Sequence, residues 1–198
     1  MAIVAGRPTL FLIAGPNGAG KSTFYETVLA PRIAAPFINA DIIQRDELAD
    51  PSPEASYRAA EIAEQRRRDH MAAGQSFVME TVFSHPSKLE LLQDARETGY
   101  RIIVFHLALA SPDLAVARVT ARIDEGGHPV PEEKIRQRFA RNGPLIRQAA
   151  LLADRAMIFD ASALNGRPVV LLELAQGQLA RRAGEMPDWF EGMYGDLE

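Results

Sequence analysis

The chain has 198 residues, 47% of them hydrophobic and 24% charged, enough for one α/β domain with a substantial core. A formal net charge of -4 argues against a nucleic-acid or membrane binder, and 0 cysteines exclude disulfides, Cys-zinc sites and thiol nucleophiles. No segment is long or apolar enough to span a bilayer, and Arg7-Pro8 interrupts the apolar start where a leader would continue, so a cytoplasmic protein is expected.

Thr9 to Ala14 is short, apolar and uncharged, as a strand buried on both faces would be. Directly after it, Gly15-Pro16-Asn17-Gly18-Ala19-Gly20-Lys21-Ser22-Thr23 fits G-x-x-x-x-G-K-[ST], the phosphate-binding P-loop, and Thr23 to Leu29 reads as helix. In that order the glycines bring backbone N–H groups close to phosphate oxygens, and the helix N-terminus adds partial positive charge. Lys21 is then expected at the β- and γ-phosphates of ATP, and Ser22 at Mg²⁺.

Pro31 and Pro36 mark a turn before a strand over Phe37-Ile38-Asn39, followed by a short helix from Asp41 to Ala49. Ser52 and Pro53 predict an N-cap and first helical position, opening a long helix to about Ala73 whose Arg66-Arg67-Arg68 reads as a solvated face. After Gly74 comes a strand over Ser76 to Glu80, then a helix from Pro86 to Thr98 closed by Gly99. Arg101 to Leu109 is the most apolar strand. Ser111-Pro112-Asp113 opens a helix through Arg118 and Arg122, and Gly126-Gly127-His128-Pro129 breaks it. Pro131 to Ala150 is helical again. Ala156 to Asp160 and Val169 to Leu174 are the last two predicted strands, with a short helix after them, and Pro187 to Phe190 is expected to dock the tail on the surface.

This alternation predicts a three-layer P-loop NTPase-type α/β fold, with a mostly parallel sheet of five or six strands in one kinase domain over residues 1–198. Ligands in such sheets sit at the C-terminal strand ends. Asp41 falls there, beside the P-loop. It reads equally as the base that orients and deprotonates an acceptor hydroxyl, or as a helix N-cap. Arg45 lies one turn on, spaced for an ion pair with Asp41. Glu80 and Thr81 close the third strand, where a carboxylate can bind sugar hydroxyls or a metal-bound water.

Arg118, Arg122, Arg136, Arg138 and Arg141 lie between the fourth and fifth predicted strands, around the Gly126-Gly127 break. They suggest a helical lid over roughly 118–141, whose cations stabilise the transferring phosphoryl group on closure. No Asp follows the fourth strand as a Walker-B ligand. That favours a small-molecule or nucleotide kinase holding Mg²⁺ through the P-loop hydroxyl, the nucleotide and water.

The P-loop, Asn39-Ala40-Asp41 with Arg45, Glu80-Thr81, the run Arg122 to Arg138, and Phe159 to Ser162 together resemble the zeta toxin family of P-loop kinases in its compact branch. The resemblance covers roughly residues 9 to 162. It implies an ATP- and Mg²⁺-dependent kinase that phosphorylates the 3′-hydroxyl of the amino sugar in UDP-N-acetylglucosamine, and a separate antitoxin polypeptide as a possible partner. It implies Lys21 as the P-loop lysine, Asp41 as the base and Glu80 and Thr81 on the UDP-sugar. Arg122 and Arg136 would then meet phosphate, with Arg118 and Arg138 able to exchange roles with them. The chain is shorter than many such proteins, and Ala161 stands where Asn is expected between Asp160 and Ser162. Another small-molecule phosphotransferase, a non-catalytic ATP-binding switch and a polynucleotide 5′-kinase are the competing readings.

Overall fold

The computed structural model describes residues 6–123, 130–164 and 166–197. Its seven strands form one sheet, β1 (Thr9–Ala14), β2 (Phe37–Ile38), β3 (Phe77–Thr81), β4 (Arg101–Ala108), β5 (Arg155–Asp160), β6 (Val169–Ala175) and β7 (Gln178–Arg182), in the order β2-β3-β1-β4-β5-β6-β7. The first five in space are parallel, while β6 and β7 run antiparallel at the edge. The helices are α1 (Lys21–Phe24), α2 (Ala40–Ile42), α3 (Pro53–Ala72), α4 (Ser87–Glu97), α5 (Pro112–Ile123), α6 (Glu132–Leu152) and α7 (Asp188–Tyr194). α1 and α2 run on as π-helical turns over Tyr25–Leu29 and Ile43–Leu48. The fold is the P-loop NTPase type.

Strand alternation sorts the core into two layers. Leu10, Leu12 and Ala14 of β1 face one cluster, with Phe77, Met79, Ile102 and Val104, while Phe11 and Ile13 face the other, with Val78, Ile103 and Phe105. Helices on both sides close these layers, which is why the central strands carry apolar residues at successive positions. β1 lies between β3 and β4, so the loop leaving it opens at the middle of the sheet.

Three expectations need correction. The segment after β6 is a strand, not a helix. A two-residue turn at Gln176 and Gly177, with φ 53° and 73°, sends the chain back as β7 and makes the sheet seven-stranded. Its Arg181 and Arg182 are exposed, and charge on an edge strand discourages pairing with another chain. Secondly, the C-terminal segment enters the core, with Phe190 and Tyr194 of α7 fully buried. Lastly, Arg67 is not on a solvated face. It is buried and paired with Glu64 at 2.7 Å, whereas Arg66 pairs with Glu47.

The Tyr194 hydroxyl lies 2.8 Å from Nδ1 of His106, which is itself buried in β4. Burial pulls the imidazole pKa down to about 3, so His106 is neutral when folded. Unfolded, it regains its ordinary value near 6.5. Its contribution to stability is therefore complete above pH 6.5 and is lost as pH falls toward 3, at about 1.4 kcal/mol per pH unit. Urea melts between pH 7 and pH 4 are expected to show that slope, and His106→Asn to flatten it. An equal slope in the variant would clear His106 of the effect.

Candidate active site

The loop from β1 to α1 is shaped by contacts that a side chain would spoil. A Cβ on Gly15 would lie 2.2 Å from the Leu107 carbonyl oxygen at the end of β4. Gly20 sits at φ 76° as the N-cap of α1 and offers no side chain, so the first-turn N–H groups are left for another acceptor. Oδ1 of Asn17 is buried without a donor among the described residues.

Lys21 begins α1 and is buried. Its ammonium donates to the Pro16 carbonyl at 3.0 Å and lies 3.7 Å from Oε1 of Glu80. Burial, the largest influence, lowers its pKa; the charges of Glu80 and Asp41 oppose this, and Arg122 adds to the lowering. Four charged groups thus act on one another around the P-loop.

Glu80 is the centre of the polar cluster. Its side chain is 9% exposed, and its Oε2 accepts from Ser22 Oγ at 2.9 Å and from Asn39 Nδ2 at 2.8 Å. β3 places it there because it lies next to β1 in the sheet, with Glu80 level with Ile13. Asn39, at the end of β2, is buried as well. Its Oδ1 accepts from Asp41 N at 2.7 Å and Ile42 N at 3.2 Å, so Asn39 is the N-cap of α2. Asp41 is consequently no cap. It occupies the second position of α2, exposed, and its charge favours the Lys21 ammonium.

The remaining predicted residues divide. Thr81 Oγ1 accepts from Phe83 N at 3.1 Å and holds a turn in which Phe83 takes φ 57°. Arg45 pairs with its neighbour Asp46, not with Asp41, as the π-helical turn changes the spacing on that face. Arg118 is committed to backbone where phosphate contact was expected. Its guanidinium donates to the carbonyls of Gly18, Ala161, Ser162 and Ala163 at 3.4, 2.7, 3.0 and 2.9 Å. It fixes α5 to the P-loop and to the segment after β5. Arg136 pairs with Asp113 at 2.7 Å and Glu132 at 2.8 Å, tying α6 to the start of α5. Arg122, exposed near the end of α5, makes no side-chain hydrogen bond among the described residues. The predicted Gly126-Gly127 hinge lies outside the described residues.

The donor set suits a nucleotide polyphosphate with a hard cation. A buried ammonium and uncapped helix N–H groups match phosphate oxygens. Ser22 and Glu80 offer oxygen ligands, and no cluster of three or more His, Cys, Asp or Glu among the described residues makes an all-protein cage. Such sparse protein ligation is what Mg²⁺ takes when substrate phosphates and water complete its shell.

A family model described as Zeta toxin matches residues 3–165. The chain belongs to the zeta toxin family. An uncharacterized protein of Haemophilus influenzae is 27% identical over 134 residues, 63% of this chain and 88% of that one. The structure reported for the PezAT chromosomal toxin-antitoxin system of Streptococcus pneumoniae superposes with a TM-score of 0.64 at 16% identity, covering 99% of this chain and 82% of the other. The AvrRxo1-ORF1:-ORF2 complex with ATP gives a TM-score of 0.63 at 17% identity, over 89% of this chain and 61% of the other. The fold of this zeta toxin family member is therefore that of P-loop kinases.

Sequence reasoning named Asn39 as part of the motif but gave it no task. The signal was present: Asn just ahead of a short helix is a standard cap. Its second bond, to Glu80, depends on β2 lying beside β3, which local sequence does not disclose.

Proposed function

We propose that this zeta toxin family member is an ATP-dependent kinase that phosphorylates the 3′-hydroxyl of the amino sugar in UDP-N-acetylglucosamine. The observation that carries the reading is the Lys21–Glu80–Ser22–Asn39 cluster, with Lys21 and Asn39 buried and Asp41 near it, at the C-terminal end of the parallel strands. Magnesium bound with the nucleotide would supply charge neutralisation at the transferred phosphoryl group. Ser22, with Glu80 next to it, would hold that ion, and Lys21 would bind the β- and γ-phosphate oxygens. Asp41 would orient the acceptor hydroxyl and take its proton. Glu80 and Thr81 would bind the sugar.

An open cleft of about 560 Å³ continues from that end of β3, between Ser84-His85 and the first half of α6. Lys134, Arg138 and Arg141 line it against a single acid, Glu133, and cations of this density suit the diphosphate of a nucleotide sugar. Arg138 would then belong to the acceptor side. A separate antitoxin polypeptide and a cytoplasmic site of action complete the proposal; in support, the PezAT structure is titled a toxin-antitoxin system. Among the described residues no helix is long and apolar enough to cross a membrane.

The test is incubation of the pure protein with ATP, Mg²⁺ and a panel of UDP-sugars, free sugars, nucleosides and antibiotics, with mass spectrometry for added phosphate. Phosphate on UDP-N-acetylglucosamine alone is the expected result. Phosphate only on another acceptor would replace the substrate, and ATP binding without any transfer would leave a switch.

Arg122 and Arg136 divide in a second test. Arg122→Ala is expected to lower kcat on the order of 10²-fold with little change in the acceptor KM, because its charge meets phosphate mainly in the transition state. Arg136 must first leave Asp113 and Glu132, so Arg136→Ala is expected to lose less. A rise in acceptor KM alone would make either one a ground-state contact.

A further inference from the structure

Asn39 joins two groups that the proposed reaction uses, Asp41 on the acceptor hydroxyl and Glu80 against Ser22 of the P-loop. One side-chain atom, Oδ1, accepts from the backbone N–H groups of Asp41 and Ile42. The other, Nδ2, donates to the Glu80 carboxylate, which in turn holds Ser22. The amide is buried and sits in extended backbone at the end of β2, so neither bond is interchangeable with water. A cap alone needs only the oxygen, and Ser, Asp or Thr supply that equally well. The nitrogen of Asn39 is spent on Glu80. Among the residues that cap helices, only Asn has a donor and an acceptor on one planar head.

We infer that Asn39 is a positioning residue that sets the Asp41 backbone and the Glu80 carboxylate in one fixed relation, coupling the acceptor side of the site to the P-loop. The inference rests on the kinase reading for its effect on turnover, but the geometry it asserts does not. Because Asn39 holds Asp41 through the backbone, the Asp41 carboxylate is left free to face the acceptor. Because it holds Glu80 through the side chain, Oε2 of the carboxylate keeps its place against Ser22.

Asn39→Ser separates the two bonds, since serine keeps the cap and loses the arm to Glu80. Its melting temperature is expected to lie between those of wild type and Asn39→Ala, because one of the two bonds is kept. Asn39→Ala loses both bonds and is expected to melt about 2–4 °C lower, the usual consequence of a lost cap in a chain of this size. With the acceptor found in the panel, kcat of Asn39→Ser is expected to fall roughly 10–100-fold, the scale of a small misplacement of a reacting group, while affinity for ATP without Mg²⁺, measured by calorimetry, stays put. Asn39→Asp also keeps the cap but sets a carboxylate against Glu80, and its kcat should fall at least as far. A purely structural role would leave kcat unchanged at temperatures well below the melting transition. Wild-type turnover in Asn39→Ser overturns the inference. If the wild-type protein phosphorylates nothing, the kinase reading fails, and a crystal structure of Asn39→Ser decides the positioning role. Glu80 displaced from Ser22 supports it; the Glu80–Ser22 bond kept in place overturns it.

Discussion

Lys21→Met is expected to abolish phosphoryl transfer, lowering kcat by about 10³-fold or more, the scale on which a cation meeting the transferred phosphoryl group registers. The ammonium is the one positive charge buried inside the P-loop, held at 3.0 Å from the Pro16 carbonyl. Burial works against its charged form, and the carboxylates of Glu80 and Asp41 work for it. Met keeps most of the stem's volume and removes only the charge. Glu80 would still have Ser22 and Asn39 as donors, so the fold is expected to survive. Single-turnover assays with MgATP and a circular-dichroism melt check both halves. Near wild-type turnover in a folded Lys21→Met protein would end the P-loop mechanism for this chain.

Asp41→Asn carries the second large effect. The variant is expected to bind MgATP as wild type does and to transfer phosphate roughly 10²–10⁴-fold more slowly, the usual worth of a positioned general base. The structure sharpens this experiment. Asn39 caps α2, so Asp41 has no capping bond to lose, and its exposed side chain makes a stability change beyond about 0.5 kcal/mol unexpected. A fall in rate would then belong to the proton. Full transfer activity would remove Asp41 from the mechanism and leave Glu80 as the next base to test.

Much of this was legible in the sequence. Local patterns define β1, the P-loop and the caps at Ser52 and Gly99, and the helix-to-strand alternation gives the parallel sheet. Glu80 was reachable because strand ends are where such sheets bind ligands. The failures have physical causes. Gln178 to Arg182 is rich in residues that favour helix, but the turn at Gln176-Gly177 and pairing with β6 outweigh that preference. Phe190 and Tyr194 lie in a short stretch of mixed polarity, and they are buried in a core cluster built from elements distant in sequence, with the Tyr194 hydroxyl met by His106. The arginines were the least readable. Spacing put Arg118, Arg122 and Arg136 together, but what each donates to is decided by carbonyls and carboxylates brought near only by the tertiary fold.

Arg118 bears on how the enzyme moves. Its four bonds pin the middle of α5 to Gly18 and to residues 161–163, so a swing of the whole helix would have to break them together. Arg122 lies one helical turn further along, about 6 Å at 1.5 Å per residue, within the span of an extended arginine side chain. In the proposed mechanism Arg122 would meet the nucleotide through a change of rotamer, a motion of nanoseconds for an exposed side chain.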